Sequence, residues 1–253
     1  MNLEELLDEL RHNILHDRSD QIAGDSDQLW SDRTLIRYIN EAERRMARQA
    51  LILRDAVTPE ATLIQTVAGQ KFYALHPSVI AVISAKCHGD VADLARAGHA
   101  ALSTYHTPDT YFFDPSSLSV LPPGKMVAYS TDEGLLQDDA GTVRVVTFRA
   151  YPAPDATHVQ AIHLRVIRTP LRKLRNLQDI PEIPEDHHLD MLDWAAYLAL
   201  RIVDHDAGDP DRAAEFKASF QAHVDEAKKL AMRKMFTPAP WGFGRNGFSW
   251  EGN

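Results

Sequence analysis

Leu29-Trp30-Ser31-Asp32-Arg33-Thr34-Leu35-Ile36-Arg37-Tyr38-Ile39-Asn40-Glu41-Ala42 is the stretch whose reading decides the fold. Ser31 or Asp32 stands where a helix cap belongs, and Trp30 is placed to staple the incoming chain. Beyond the cap, Leu35, Ile39, Ala42, Met46, Ala50 and Leu53 recur at helical spacing, which predicts a helix with one buried stripe. The opposite side carries Arg33, Arg37, Glu41, Arg44, Arg45 and Arg48. Glu41 is spaced to pair with Arg45, a contact worth roughly 0.2–0.5 kcal/mol. Such an Arg row is first a solvated face and second a surface for another subunit or for nucleic acid. Arg37, Arg44 and Arg48 are its candidate contact residues.

Working outward, Leu3, Leu6, Leu7, Leu10 and Ile14 predict an amphipathic helix over 2–16, followed by a polar loop to Gln28. Far downstream, Ile180-Pro181-Glu182-Ile183-Pro184-Glu185-Asp186-His187-His188 reads as a helix entry, with Pro and acidic residues at the positive end of the dipole. The helix it opens, 189–203, is apolar on nearly every side. It needs neighbours on most faces, as a central helix or as a subunit-interface helix. Asp209-Pro210 starts a last helix striped with Phe216, Phe220, Val224, Ala227 and Ala231, with Lys228, Lys229, Arg233 and Lys234 towards its C-terminal end.

Between these helical ends the period falls to two. Strands are expected at 62–67, 72–75, 79–87, 126–129, 143–151 and 159–168, with a hairpin over 110–121 and a short Ala-rich helix within 91–103. Short strands bounded by Pro and Gly indicate an antiparallel sheet or small barrel, not βαβ units. The expected class is α+β: a helical bundle scaffold from 1–57 and 176–236, a β-rich insertion over 58–175, and an extended C-terminal arm over 237–253.

A chain of 253 residues can bury a sizeable core. Its net charge of -9 argues against a general duplex-binding protein but leaves local basic patches open. Cys87 is the only cysteine, so neither an internal disulfide nor a thiolate metal cage is available. The acidic start Met1-Asn2-Leu3-Glu4-Glu5 lacks the pattern of a signal peptide, and no run is apolar enough to span a bilayer. A soluble protein made in the cytoplasm is expected.

Signals for chemistry are weak. Gly24-Asp25-Ser26 and Asp155-Ala156-Thr157-His158 resemble the nucleophile and base motifs of a lipase and esterase superfamily. Polar residues precede Ser26, so no strand fixes its geometry, and a solvated loop and a turn are the plainer readings. Gly242-Phe243-Gly244-Arg245-Asn246-Gly247 matches a dinucleotide fingerprint as a string but follows no strand and opens no helix. His187-His188 and Asp204-His205-Asp206 hold metal-capable groups, yet adjacent helical histidines diverge by about 100° and cannot share a small ion. His163 alternates with apolar residues in a strand and should face solvent or an interface. The arm is different: Trp241, Phe243, Phe248 and Trp250 crowd a segment too short to bury them. They fold back on this chain's core or insert into another subunit.

These pieces, in order, resemble the head-to-tail adaptor (connector) proteins of tailed bacteriophages. The resemblance rests on the 29–42 stretch, Gly69-Gln70-Lys71-Phe72-Tyr73-Ala74-Leu75 and Leu118-Ser119-Val120-Leu121-Pro122-Pro123. It continues through Tyr151-Pro152-Ala153-Pro154, Leu164-Arg165-Val166-Ile167-Arg168-Thr169-Pro170 and the 180–188 entry, and covers about residues 29–235, with 88–109 poorly matched. It implies a virion protein of the neck that forms a twelve-subunit ring under the portal and extends the DNA channel. Genomic DNA passes without sequence-specific binding, and tail or nozzle proteins dock below. The resemblance implies no cofactor, no membrane and no obligatory chemistry, with the arm gripping the portal. A stopper or tail-completion protein is the alternative within the class, and a Ser26-dependent hydrolase the alternative outside it.

Overall fold

Ser31 caps the helix predicted from the 29–42 stretch: its Oγ accepts from the Thr34 N–H at 3.3 Å. In the computed structural model, which describes residues 1–17, 29–96, 122–131, 136–137, 143–144, 147–201 and 209–235, this helix is α2 (Asp32–Ala50). It stops at Leu51, whose φ of 56° is left-handed. Its stripe is buried as expected: Leu35, Ile39, Ala42, Met46 and Ala50 are fully covered. Ser26, the 110–121 hairpin, Asp204-His205-Asp206 and all four arm aromatics lie outside the described residues.

The first helix is split. α1 (Leu3–Asp8) opens with Asn2 and Glu5 in a reciprocal capping box, then widens into a π-helical turn over Glu9–Ile14. Widening by one residue rotates Arg11 inward. Arg11 is buried and satisfied there by Asp17 and Asp32, both at 2.6 Å, and by the Trp30 carbonyl at 3.0 Å. A stripe count could not reveal that cation in the core, because it assumes an unbroken period.

The apolar segment after Pro184 begins with a 3-10 turn (Glu185–His187) and becomes α4 (Leu192–Leu200). Leu189 is exposed, and residues 202–203 lie outside the described residues. α4 packs on α2 and on α5 (Pro210–Met235), so it is the central helix of its own chain. Trp194 sits 4.7 Å from the Tyr197 ring and 5.2 Å from the Phe220 ring. Arg45 departs from the solvated row: its guanidinium stacks 3.9 Å from the Trp194 centroid in place of the expected pairing with Glu41. Asp209 caps α5 through the Arg212 N–H at 3.0 Å.

Among the described residues the strands form two four-stranded sheets and a separate two-stranded pair. In the first sheet β10 (Ala161–Arg168) pairs along its length with β4 (Val79–Cys87). Its other partners are β1 (Arg54–Asp55) and β2 (Leu63–Gln65), which meet opposite ends of β10. Pro59–Thr62 between them is a helical turn, α3, so the strand expected from residue 62 begins one residue late. Register shifts after Arg165 and Ile167 explain why burial along β4 does not simply alternate.

The second sheet runs β3 (Phe72–Ala74), β9 (Thr147–Tyr151), β6 (Ala128–Ser130), β5 (Ala95–Arg96). β5 corrects two expectations: it lies inside the predicted Ala-rich helix, and it pairs parallel with β6. Alanine's helix preference is a few tenths of a kcal/mol, and pairing at a sheet edge overrides it. β7 (Leu136–Gln137) and β8 (Val143–Arg144) pair only as a hairpin among the described residues.

Both sheets line one core. Ile64, Val82, Ile162 and Leu164 from the first meet Tyr73, Tyr129 and Phe148 from the second, a sandwich arrangement. Tyr129 and Phe148 stack at 5.1 Å, and burying Phe148 contributes roughly 1.5–3 kcal/mol. The helices share a different core, drawn from residues 3–53 and 174–227. Among the described residues the chain is therefore α+β with two large hydrophobic cores, beside a small cluster of Ala128 and Tyr151. Among the described residues no helix is long and apolar enough to cross a membrane.

Candidate functional site

The Arg face of α2 lies beside the segment that leaves β10. Residues 169–175 run along it, and the two enclose a groove of about 870 Å³. Three exposed cations line it from the helix, Arg33, Arg37 and Arg44, and three from the segment, Arg172, Lys173 and Arg175. Among the described residues none of the six has an ion-pair partner, and Glu41 is the exposed carboxylate in the lining. The lining also holds the half-buried apolar side chains of Ile36, Pro170 and Leu171, alongside the polar Thr34, Asn40, His76, Ser78 and Thr169. Arg48 is exposed one turn beyond Arg44 and does not line the groove.

The second wall is held by its backbone. Asn40, on α2, clamps Leu174 at both ends, accepting from its N–H at 2.8 Å and donating to its carbonyl at 3.0 Å. Glu182 Oε1 accepts from the Leu171 N–H at 2.7 Å and the Arg172 N–H at 3.0 Å. Asp179 Oδ2 accepts from the Arg175 N–H at 2.7 Å and the Asn176 N–H at 2.8 Å. Three side chains thus fix the peptide units while the basic side chains stay free, a preorganised display of charge.

Beneath the wall lies a buried charge cluster where the helical and sheet cores meet. Arg168, from β10, pairs with Asp55 at 2.7 Å and with Glu182. Glu43, on the buried side of α2, accepts from the Glu182 N–H at 2.6 Å. Burial pushes the Glu43 carboxyl up to about 7, and the Glu182 charge adds to this. Burial would also raise Asp55, but hydrogen bonds from Thr58, Val57 and Arg168 outweigh it and hold Asp55 well below the usual carboxylate range. The Arg168 guanidinium, desolvated but bonded to both carboxylates, is held above its ordinary value.

Glu43 and Asn40 were missed in the sequence reading. Position 43 falls four residues after Ile39 on the apolar stripe, and that spacing was the available signal. Glu182 lies in the 180–188 entry and Arg168 in the 164–170 segment, where nothing in the sequence marks either as buried.

The weak chemical signals that fall on described residues resolve as local structure. Asp155 Oδ1 takes the Thr157 and His158 N–H groups at 2.8 and 2.9 Å and the His158 Nδ1 at 2.8 Å. The Thr157 hydroxyl and these neighbours lower the Asp155 carboxyl to about 2. His163 is exposed, as expected, with its Nε2 3.2 Å from His88 Nδ1. His187 pairs with Asp190 at 3.0 Å, while His188 is buried on the Ile183 carbonyl at 3.0 Å, and burial lowers its pKa. The two histidines are thus spent separately. Among the described residues no cluster of His, Cys, Asp and Glu could hold a metal ion.

The groove is an open basic surface whose second wall is tied by hydrogen bonds to α2 and to the charge cluster beneath it. The family model of the SU10 adaptor protein matches residues 1–241, and the chain belongs to that phage head-to-tail adaptor family. The match takes in the first helix and reaches Trp241, beyond the 29–235 span of the resemblance in sequence. No curated protein matches the chain.

Proposed function

We propose that this protein is the adaptor ring of a phage neck, twelve copies under the portal that extend the DNA channel and dock tail components. Family membership over residues 1–241 carries this reading. The helical core would form the ring body and the β-sandwich a projecting insertion. The arm over 237–253 would reach the portal or a neighbouring copy through Trp241, Phe243, Phe248 and Trp250, with Arg37, Arg44 and Arg48 as further contacts. Each aromatic buried at such a contact contributes roughly 1.5–3 kcal/mol, multiplied around the ring. Heterologous contacts close into a ring when the rotation permits. α4 supports the arm over the helix as the source of apolar contact, since α4 is already covered by its own chain.

Electron microscopy of purified protein mixed with portal tests the reading, with twelve-fold rings capping the portal as the expected result. Deleting residues 237–253 should leave a folded protein that no longer joins the portal. Undiminished association of that truncation, read by mass photometry, removes the arm from the reading.

A further inference from the structure

The groove between α2 and residues 169–175 has a chemistry that selects its occupant. Cations stand on both walls, five of the six are arginines, and Ile36, Pro170 and Leu171 add apolar surface to the lining. Arginine forks grip carboxylates in bidentate pairs, so the matching ligand is an acidic segment with aliphatic side chains at its centre. A phosphodiester backbone supplies the charge but nothing for Ile36, Pro170 and Leu171 to cover.

Three stretches of this chain are candidates for that chemistry. Glu4-Glu5-Leu6-Leu7-Asp8-Glu9 has the pattern, but Leu6 and Leu7 are buried in the helical core. The run Asp204, Asp206, Asp209 and Asp211 has no large apolar residue among its carboxylates, and Asp209 already caps α5. Asp132-Glu133-Gly134-Leu135-Leu136-Gln137-Asp138-Asp139 has two leucines between two acidic pairs. Its Leu136–Gln137 strand belongs to the β7–β8 hairpin, paired to neither sandwich sheet.

We propose that the groove is the acceptor for the 132–139 segment of a second copy of this chain, a head-to-tail contact between unlike surfaces. The proposal rests on the ring reading for its biological setting, since a groove on one copy and a segment on the next is the heterologous contact a ring requires. In this contact an apolar side chain of the Leu135-Leu136 pair would cover Ile36, Pro170 and Leu171, and the carboxylates at either end would engage Arg33, Arg37 and Arg44 on one wall and Arg172, Lys173 and Arg175 on the other.

The test is a labelled peptide spanning residues 131–140, titrated with the full-length protein and read by fluorescence anisotropy. Binding is expected at low ionic strength and should weaken at least ~10-fold in the Arg37→Glu, Arg172→Glu variant and again in about 0.5 M salt. Both positions are exposed, and a thermal melt checks that the variant folds. Absence of binding to the unaltered protein, or equal binding to the variant, overturns the proposal. So does a duplex oligonucleotide that binds at the same arginines and excludes the peptide. In a second measurement the groove variant is mixed with an Asp138→Lys, Asp139→Lys variant. A head-to-tail contact predicts that neither self-associates and that the mixture sediments as a heterodimer; a mixture that stays monomeric refutes it. Rings on the portal formed normally by the groove variant would reject this contact and leave the adaptor reading standing. Peptide binding without rings would do the reverse.

Discussion

Replacing Glu43 with Gln should make the protein more stable above neutral pH and leave it unchanged in acid. Glu43 is 1% exposed, and burial moves its carboxyl from an ordinary 4.5 to about 7 in the folded chain. Below pH 4.5 both folded and unfolded chains hold the proton, and the group costs nothing. Between 4.5 and about 7 the unfolded chain releases its proton while the folded chain keeps it, so stability falls as pH rises. Above that window the full penalty is present, roughly 3 kcal/mol. Gln is neutral throughout, and its Oε1 still accepts the Glu182 N–H, so the hydrogen bond now 2.6 Å long survives. The variant should therefore match the parent near pH 4.5 and exceed it at pH 8 by up to roughly 3 kcal/mol. For a chain of this size that is about 6–12 °C in Tm. Urea titrations and thermal melts of both proteins at pH 5 and pH 8 read the difference, in which other titrating groups cancel. Parallel loss of stability by parent and variant across the window would refute the assignment of the penalty to Glu43.

Arg168→Met should destabilise by about 3–5 kcal/mol, because Asp55 and Glu182 keep their burial and lose their shared cation. A urea midpoint unchanged from the parent would show that the two carboxylates do not depend on it. Phe148→Ala should cost about 3–5 kcal/mol by opening a cavity between the two sheets, where Phe148 is fully buried against Tyr129. A loss below about 1 kcal/mol, read by chemical denaturation, would mean that the sandwich core collapses around the gap.

Local signals were read correctly where local physics settles the matter. The Ser31 cap, the α2 stripe, the extent of β4 and the Asp209 start of α5 each depend on residues within a turn or two of one another. The misreadings share a different cause. Residues 95–96 are strand because β6 offers an edge some thirty residues away, and Arg45 leaves the solvated face because Trp194 lies across α2. Arg37 and Arg44 were legible as part of an exposed basic face, but Arg172, Lys173 and Arg175 could not be joined to them, being well over a hundred residues downstream.

By itself, then, the order of residues determined the α+β class, the starts of α2 and α5 and the adaptor resemblance. Periodicity, caps and turn residues act over a few positions, and each of these is visible in a string. Only the tertiary structure decided that the apolar helix is central, that Glu43 is buried beside Arg168 and Glu182, and that two distant basic stretches face each other across one groove. Burial and charge depend on which segments meet in space, and that is set by packing two cores together, not by any local pattern.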